Sequence, residues 1–197
     1  MAVLVIADHT NSALSGATAK ALTAARLLGG DVHILVAGHD CQSAAAAAAK
    51  LLGVAKVLVA DAPQYGHGLA EEIAPLIVSL MPAYSAAVAA GTTGGKNIMP
   101  RVAALLDVMQ VSDIIAVKSP KTFDRPIYAG NAIQTVEVTD AKTVLTVRTA
   151  AFAATPEGGA AVIETVGSLA AVGASAFEGA QLTKSDQIGR ASCRERV

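Results

Sequence analysis

Through its first 117 residues the chain alternates short, almost wholly apolar runs with segments of helical periodicity. A strand that is apolar on both sides must be covered on both sides, and the segments between the runs can supply that cover. The runs are Val3 to Ala7, Val32 to Ala37, Lys56 to Ala60, Ala86 to Ala90 and Asp113 to Val117, each bounded by Gly, Asp or Ser. The pattern is that of a parallel sheet between two helix layers.

The predicted helices are specified in different ways. Asn11 or Ser12 is placed to cap the first, which runs to Leu28 before Gly29 and Gly30 end it. Asp40 is expected to cap the second, whose six consecutive alanines, Ala44 to Ala49, favour helix and allow close approach to a sheet; Gly53 stops it. In the third, Leu69, Ile73, Leu76, Ile77 and Leu80 form an amphipathic stripe. Glu71 and Glu72 offset the dipole at its start, and Pro75 is expected to kink it. The fourth is predicted to begin near Asn97, to hold Pro100 in its first turn and to bury Ile98, Val102, Leu105 and Leu106.

From Ser119 the pattern changes. Phe123 to Ala129, Ile133 to Val138 and Thr143 to Thr149 are strand-like, and the connections between them are too short for parallel crossovers. They are expected as antiparallel additions at one edge of the sheet, with Pro126 at a strand end or edge. Ala160 to Val166 is compatible with one more strand or a short helix. The predicted fold class is therefore α/β: a Rossmann-like three-layer parallel sheet flanked by helices, with an antiparallel strand extension after residue 119. One domain is expected over residues 1–186. Gln187 to Val197 departs from the rest, with Arg190, Arg194, Arg196 and Cys193 and no packing periodicity, and is expected to be a non-native or frameshifted tail.

Composition excludes several partner classes. Fifteen Lys and Arg against sixteen Asp and Glu leave a formal charge of −1, with no global field for nucleic acid or anionic membrane. Aromatic residues are 3% and Trp is absent, which removes the stacking platforms of a single-strand binder. Asp8, Asp31, Lys50, Asp61 and Lys96 interrupt every apolar run before it reaches the ~20 residues of a membrane helix, so a soluble chain without direct membrane insertion is expected. Cys41 and Cys193 stand far apart without His or Cys at ligand spacing, which fits a reducing cytoplasm or organelle matrix and no metal site.

In an open parallel sheet, ligands bind where strands end, and the suggestive place is Gly91-Thr92-Thr93-Gly94-Gly95-Lys96-Asn97. Backbone N–H groups plus one cation at a helix start can form an anion pocket; a tight connection with no ligand is the alternative. It is not a Walker A loop, because three residues rather than four separate Gly91 from Gly95 and Asn97 follows Lys96. Nor does a G-x-G-x-x-G turn follow the first strand, where Asp8-His9-Thr10-Asn11-Ser12 stands instead. His9, His33, His39 and His67 lack metal-ligand spacing and no nucleophile elbow occurs, so catalysis by side chains is not expected. Arg101, Arg125, Tyr128 and Asn131 gather hydrogen-bonding groups in a weakly charged chain. They serve either an edge that bonds its own turns or a docking surface for another chain.

Val3 to His9, Asp31 to Gly38, Thr92 to Asp107 and Arg125 to Ile133 together closely resemble the amino-terminal domain of the electron transfer flavoprotein alpha-subunit family, in order and over residues 1–186. That resemblance implies a heterodimer with a beta subunit of similar fold. It implies one FAD, and an electron shuttle from flavin dehydrogenases such as those oxidising acyl-CoA in fatty acid beta-oxidation to a membrane quinone oxidoreductase. It also implies that FAD is held mainly by a carboxyl-terminal domain, which Gln187 to Val197 replaces here, so no principal FAD residue carries over. Lys96 and Asn97 become a nucleotide-site remnant or, by preference, a subunit contact. The alternative function is a stand-alone adenine-nucleotide binding module.

Overall fold

The computed structural model describes residues 2–180, so the expected tail lies outside the described residues. Its centre is a seven-stranded sheet. The strands are β1 (Ala2–Ile6), β2 (Val32–Gly38), β3 (Lys56–Asp61), β4 (Tyr84–Ala90), β5 (Gln110–Ile114), β9 (Thr143–Val147) and β10 (Val162–Thr165). Their order is β10-β3-β2-β1-β4-β9-β5, and every pairing is parallel. A separate antiparallel sheet holds β6 (Ala116–Ser119), β7 (Thr122–Ile127) and β8 (Ala132–Glu137).

Alternation along each central strand divides the core in two. Val3, Val5, Ile34, Val36, Val57 and Val88 face α1 (Gly16–Arg26) and α2 (Gln42–Ala49). Leu4, Ile6, Leu35, Leu58 and Ala87 face α3 (Ala70–Leu80) and α4 (Thr93–Leu105). Each fully buried Leu or Ile contributes about 1.5–3 kcal/mol, so the two faces together carry most of the stability. The alanines of α2 and β4 keep the layers close: Ala44, Ala45, Ala48, Ala87 and Ala90 are all buried.

Several boundaries differ from the sequence reading, each for a physical reason. The first helix is capped by Ser15, whose hydroxyl accepts from Ala17 N at 3.3 Å, because Asn11 has a φ of 62° and lies in the preceding loop. Cys41 rather than Asp40 precedes α2 and offers no side-chain cap. The cap comes from the next strand: the Asp61 carboxylate accepts from Asp40 N at 2.9 Å and Cys41 N at 3.3 Å. The third helix holds Pro75 inside it, as the sequence reading places it. The fourth starts four residues earlier than Asn97, so Pro100 sits mid-helix; Ile98 and Val102 are buried as expected, whereas Leu105 is exposed.

The largest correction concerns the second half. Asp113 to Val117 is not one strand: Asp113 adopts a φ of 60°, the β5–β9 register shifts between Val111 and Ile114, and the chain turns out of the central sheet into β6. The Thr143 strand is not antiparallel either; β9 inserts between β4 and β5, parallel to both. Its short link to β8 is permitted because the two strands belong to different sheets, and the whole β6–β8 unit is the crossover from β5 to β9. That unit stands as its own sheet and does not extend the central one at an edge. It packs through Phe123 and Val138 onto the α1 and α2 side of the core. Ala160 to Val166 resolves as a strand, β10, on the edge beside β3. Among the described residues no helix is long and apolar enough to cross a membrane.

One contact holds α4 against the end of β4. A Cβ on the buried Gly95 would overlap the Ala90 carbonyl oxygen and lie 3.2 Å from its carbon, and a backbone cannot give way as a flexible side chain can. Gly95→Ala is expected to cost about 3 kcal/mol and to lower the melting temperature by roughly 6–12 °C. An unchanged melt would show that the helix does not need this approach.

Candidate functional site

The order of the central sheet reverses between β1 and β4. The chain leaves β1 towards α1 on one face and β4 towards α4 on the other, and divergent exits leave a crevice at the carboxyl edge. It is about 390 Å³ and is walled by Ile6 to Asn11 after β1, by Thr93 and Gly94 at the start of α4, and by Tyr65 to Gly68 after β3. A smaller recess of about 40 Å³ continues beneath Thr92 and Gly95.

The Gly91 to Asn97 loop therefore reaches the crevice only in part. Thr92 caps α4, its hydroxyl accepting from Gly95 N at 3.4 Å, and Thr93 and Gly94 form the crevice wall. Lys96 and Asn97 are exposed and line neither cavity. With the helix starting at Thr93, a rotation of about 100° per residue turns them away from it. The cation expected to complete an anion pocket is not in the wall.

Asp8 brings a carboxylate close to that helix start. Its carboxylate oxygen lies 3.7 Å from where a Cβ on Gly94 would stand, which sets it against the first turn of α4. Its backbone is held firmly: Asp8 N donates to Thr18 Oγ1 at 2.9 Å, and Ser15 N donates to Asp8 O at 2.8 Å. A helix N-terminus favours one negative group. A phosphate brought beside this carboxylate would meet repulsion of about 1–4 kcal/mol at contact distance. The residues present do not fit the diphosphate of a dinucleotide. The signal was in the sequence, since Asp8 stands where a dinucleotide binder carries its first glycine.

The candidate partner residues separate into two places. Arg101 projects from α4 and pairs with Glu71 of α3 at 3.1 Å. Arg125, Tyr128 and Asn131 belong to the antiparallel sheet, which packs on the opposite core face. Arg125 donates from Nη2 to Ser112 Oγ at 2.9 Å, and its buried Nε has no partner. The turn joining β7 to β8 holds Tyr128 and Ala129 at φ of 50° and 56°. That conformation costs a non-glycine residue about 1–2 kcal/mol each, and it leaves Tyr128 79% exposed at the tip, with Ile133 exposed beside it.

Three histidines, His9, His39 and His67, sit at the carboxyl edge. His39 lies 3.7 Å from both Asp40 and Asp61, all at the surface, and Asp61 already caps α2. His9 is different. Burial lowers its pKa, and its Nδ1 accepts from Asn11 N at 3.0 Å, a bond that a second ring proton would abolish. Asn11 in turn donates to Gly66 O at 2.8 Å across the crevice. A folded-state pKa below the unfolded value gives stability that is complete above about 6.5 and is lost as the pH falls below it. Melting temperature is expected to be flat between pH 7 and 8 and to decline from about pH 6.5 downward. His9→Gln should blunt that decline, and an identical pH profile in the variant would count against it.

A family model for the electron transfer flavoprotein domain matches residues 3–171. The chain is 55% identical over 188 residues to the electron transfer flavoprotein subunit alpha of Pseudomonas aeruginosa, covering 95% of this chain and 61% of that protein. It is 60% identical over 187 residues to the corresponding subunit of Bradyrhizobium diazoefficiens, covering 95% and 60%. With the mitochondrial subunit of Dictyostelium discoideum it shares 46% over 164 residues, covering 79% and 46%. The chain spans about three fifths of the length of the bacterial relatives it matches. A match running from β1 to beyond β10, on a doubly wound sheet with its own antiparallel extension, places this chain in the electron transfer flavoprotein domain family.

Proposed function

We propose that the chain is part of an electron transfer flavoprotein alpha subunit and serves as an assembly platform. It pairs with a beta subunit to complete an FAD-containing carrier. That carrier takes electrons from flavin dehydrogenases, such as acyl-CoA dehydrogenases, and passes them to a membrane quinone oxidoreductase. On this reading the work is done in the cytoplasm, in keeping with the 51–60% identity to three bacterial subunits. The observation that carries the reading is the match of residues 3–171 together with 51–60% identity to three bacterial alpha subunits. It is supported by the crevice, where Asp8 disfavours the diphosphate of FAD. On this reading the flavin is held by the part of the subunit that these residues lack, and the redox chemistry is the flavin's own. The residues here orient and carry; none acts as an acid, base or nucleophile.

The partner surface on this reading is the antiparallel sheet, with Tyr128 at its tip, and Asn131 and Ile133 beside it. A mostly exposed aromatic on a rigid turn is the kind of residue that concentrates binding energy. Arg125 backs the surface through Ser112 and is therefore partly structural. Arg101, paired with Glu71 in the α3–α4 layer, lies apart from this surface and on this reading is not part of it. The rival reading, a stand-alone adenine-nucleotide module, needs an anion site at α4 that Asp8 obstructs.

Tyr128→Ala is expected to weaken association with the beta subunit by about tenfold or more, measured by sedimentation of the mixture, while moving the melting temperature by no more than about 2 °C. Unaltered association would remove the docking role. Purified by itself, the chain is expected to show no flavin absorbance and no heat on titration with AMP or ATP. Micromolar nucleotide binding would favour the rival.

A further inference from the structure

Glu72 breaks the rule of its own helix. It lies on the covered side of α3 and is only 5% exposed, where an unpartnered carboxylate would be costly. Its partners come from a hundred residues further on. Val172 N donates to Oε1 at 3.1 Å and to Oε2 at 2.9 Å, and Gly173 N donates to Oε1 at 2.9 Å. Two successive N–H groups can converge on one carboxylate only if the backbone turns sharply, and Gly173 has a φ of 65°. Both carboxylates of the first turn are engaged, since Ser175 Oγ donates to Glu71 Oε2 at 3.2 Å.

These bonds fasten a strap. After β10 the chain runs exposed along the loop that follows β3 and then along α3. Leu169 N donates to the Tyr65 hydroxyl at 3.0 Å, Gln64 Nε2 donates to Leu169 O at 2.8 Å, and Phe177 stacks on His67 with ring centroids 3.9 Å apart. Val172 and Phe177 remain 51% and 46% exposed, so little apolar burial holds the strap down. The fixing is polar, and its buried point is Glu72. The other side of the same loop is crevice wall: Tyr65 and His67 both line the cavity between β1 and α4.

We propose that Glu72 is a latch that positions the strap of residues 166–177, and that the strap and the crevice are coupled because Tyr65 and His67 belong to both. Docked, the strap pins the His67 ring through Phe177 and sets the direction in which the chain leaves the domain. Released, it frees the Tyr65 hydroxyl and the His67 ring and opens that wall of the crevice. Under the platform reading the latch also governs where the flavin-holding part of the longer relatives begins. That consequence rests on the reading above, whereas the latch does not.

Hydrogen exchange on the whole chain, without flavin or beta subunit, tests it. In Glu72→Gln the amides of Val172 and Gly173 are expected to exchange about tenfold faster or more, with protection in β10 and the rest of α3 unchanged. Gly173→Ala attacks the other end of the latch. It leaves Glu72 and the core intact, and a Cβ there meets nothing within 4 Å, but it strains the left-handed turn. It should loosen the same amides, which guards against Glu72→Gln acting through a general loss of fold. In both variants diethyl pyrocarbonate should modify His67 faster, as read by peptide mass, relative to His33 at the far end of the sheet. Strap amides that exchange as unstructured peptide in the parent chain, or that keep their protection in both variants, would overturn the latch. Loosened amides with unchanged His67 reactivity would overturn the coupling.

Discussion

Everything in this domain depends on a central sheet whose inner strands are covered on both faces. Its five inner parallel strands, β3, β2, β1, β4 and β9, present apolar side chains in both directions, and each direction must be closed by a pair of helices. That requirement sets the alanine content of α2 and β4, because layers built on small side chains approach closely. It also explains why Gly95 is buried against the Ala90 carbonyl. Helices placed on both faces must leave the sheet in opposite directions at the point where strand order reverses. The crevice between β1 and α4 is the geometrical consequence of covering both faces.

One carboxylate, Asp8, sets the charge at the helix end of that crevice. A helix N-terminus at the end of β4 offers oriented N–H dipoles, and the fold alone would make it an anion site. Asp8 brings a negative group of the chain's own to that helix turn, while Lys96 faces away. A phosphate at that turn would be opposed by this charge, which weakens the anion site that the fold alone would offer.

Acidic residues do similar internal service elsewhere. Asp61 caps α2 from an adjacent strand, Asp113 accepts from both Nε and Nη2 of Arg148 at the bend where the chain leaves the central sheet, and Glu72 gathers two N–H groups of the strap. In each case the carboxylate satisfies backbone or guanidinium donors at a place where regular secondary structure stops. The near-neutral charge of the chain conceals this. The acids were not distributed for a field but placed at ends and corners, where single donors would otherwise go without a partner.

The sequence by itself determined the alternation of strands and helices, the two-sided core and the family, because side-chain periodicity and short motifs are local properties. Ile73, Leu76 and Ile77 could be assigned to a buried stripe from spacing alone, and Asp8 could be seen to replace a glycine. What only the tertiary structure decided depends on residues far apart in the chain. The parallel insertion of β9 between β4 and β5 followed from the detour through a second sheet, which no local pattern encodes. Glu72 read as a dipole-balancing residue at a helix start, since its donors lie a hundred positions away. The separation of Arg101 from Arg125 and Tyr128 likewise required knowing which face of the sheet each element covers. Periodicity says that a residue is buried or exposed; only the folded chain says against what.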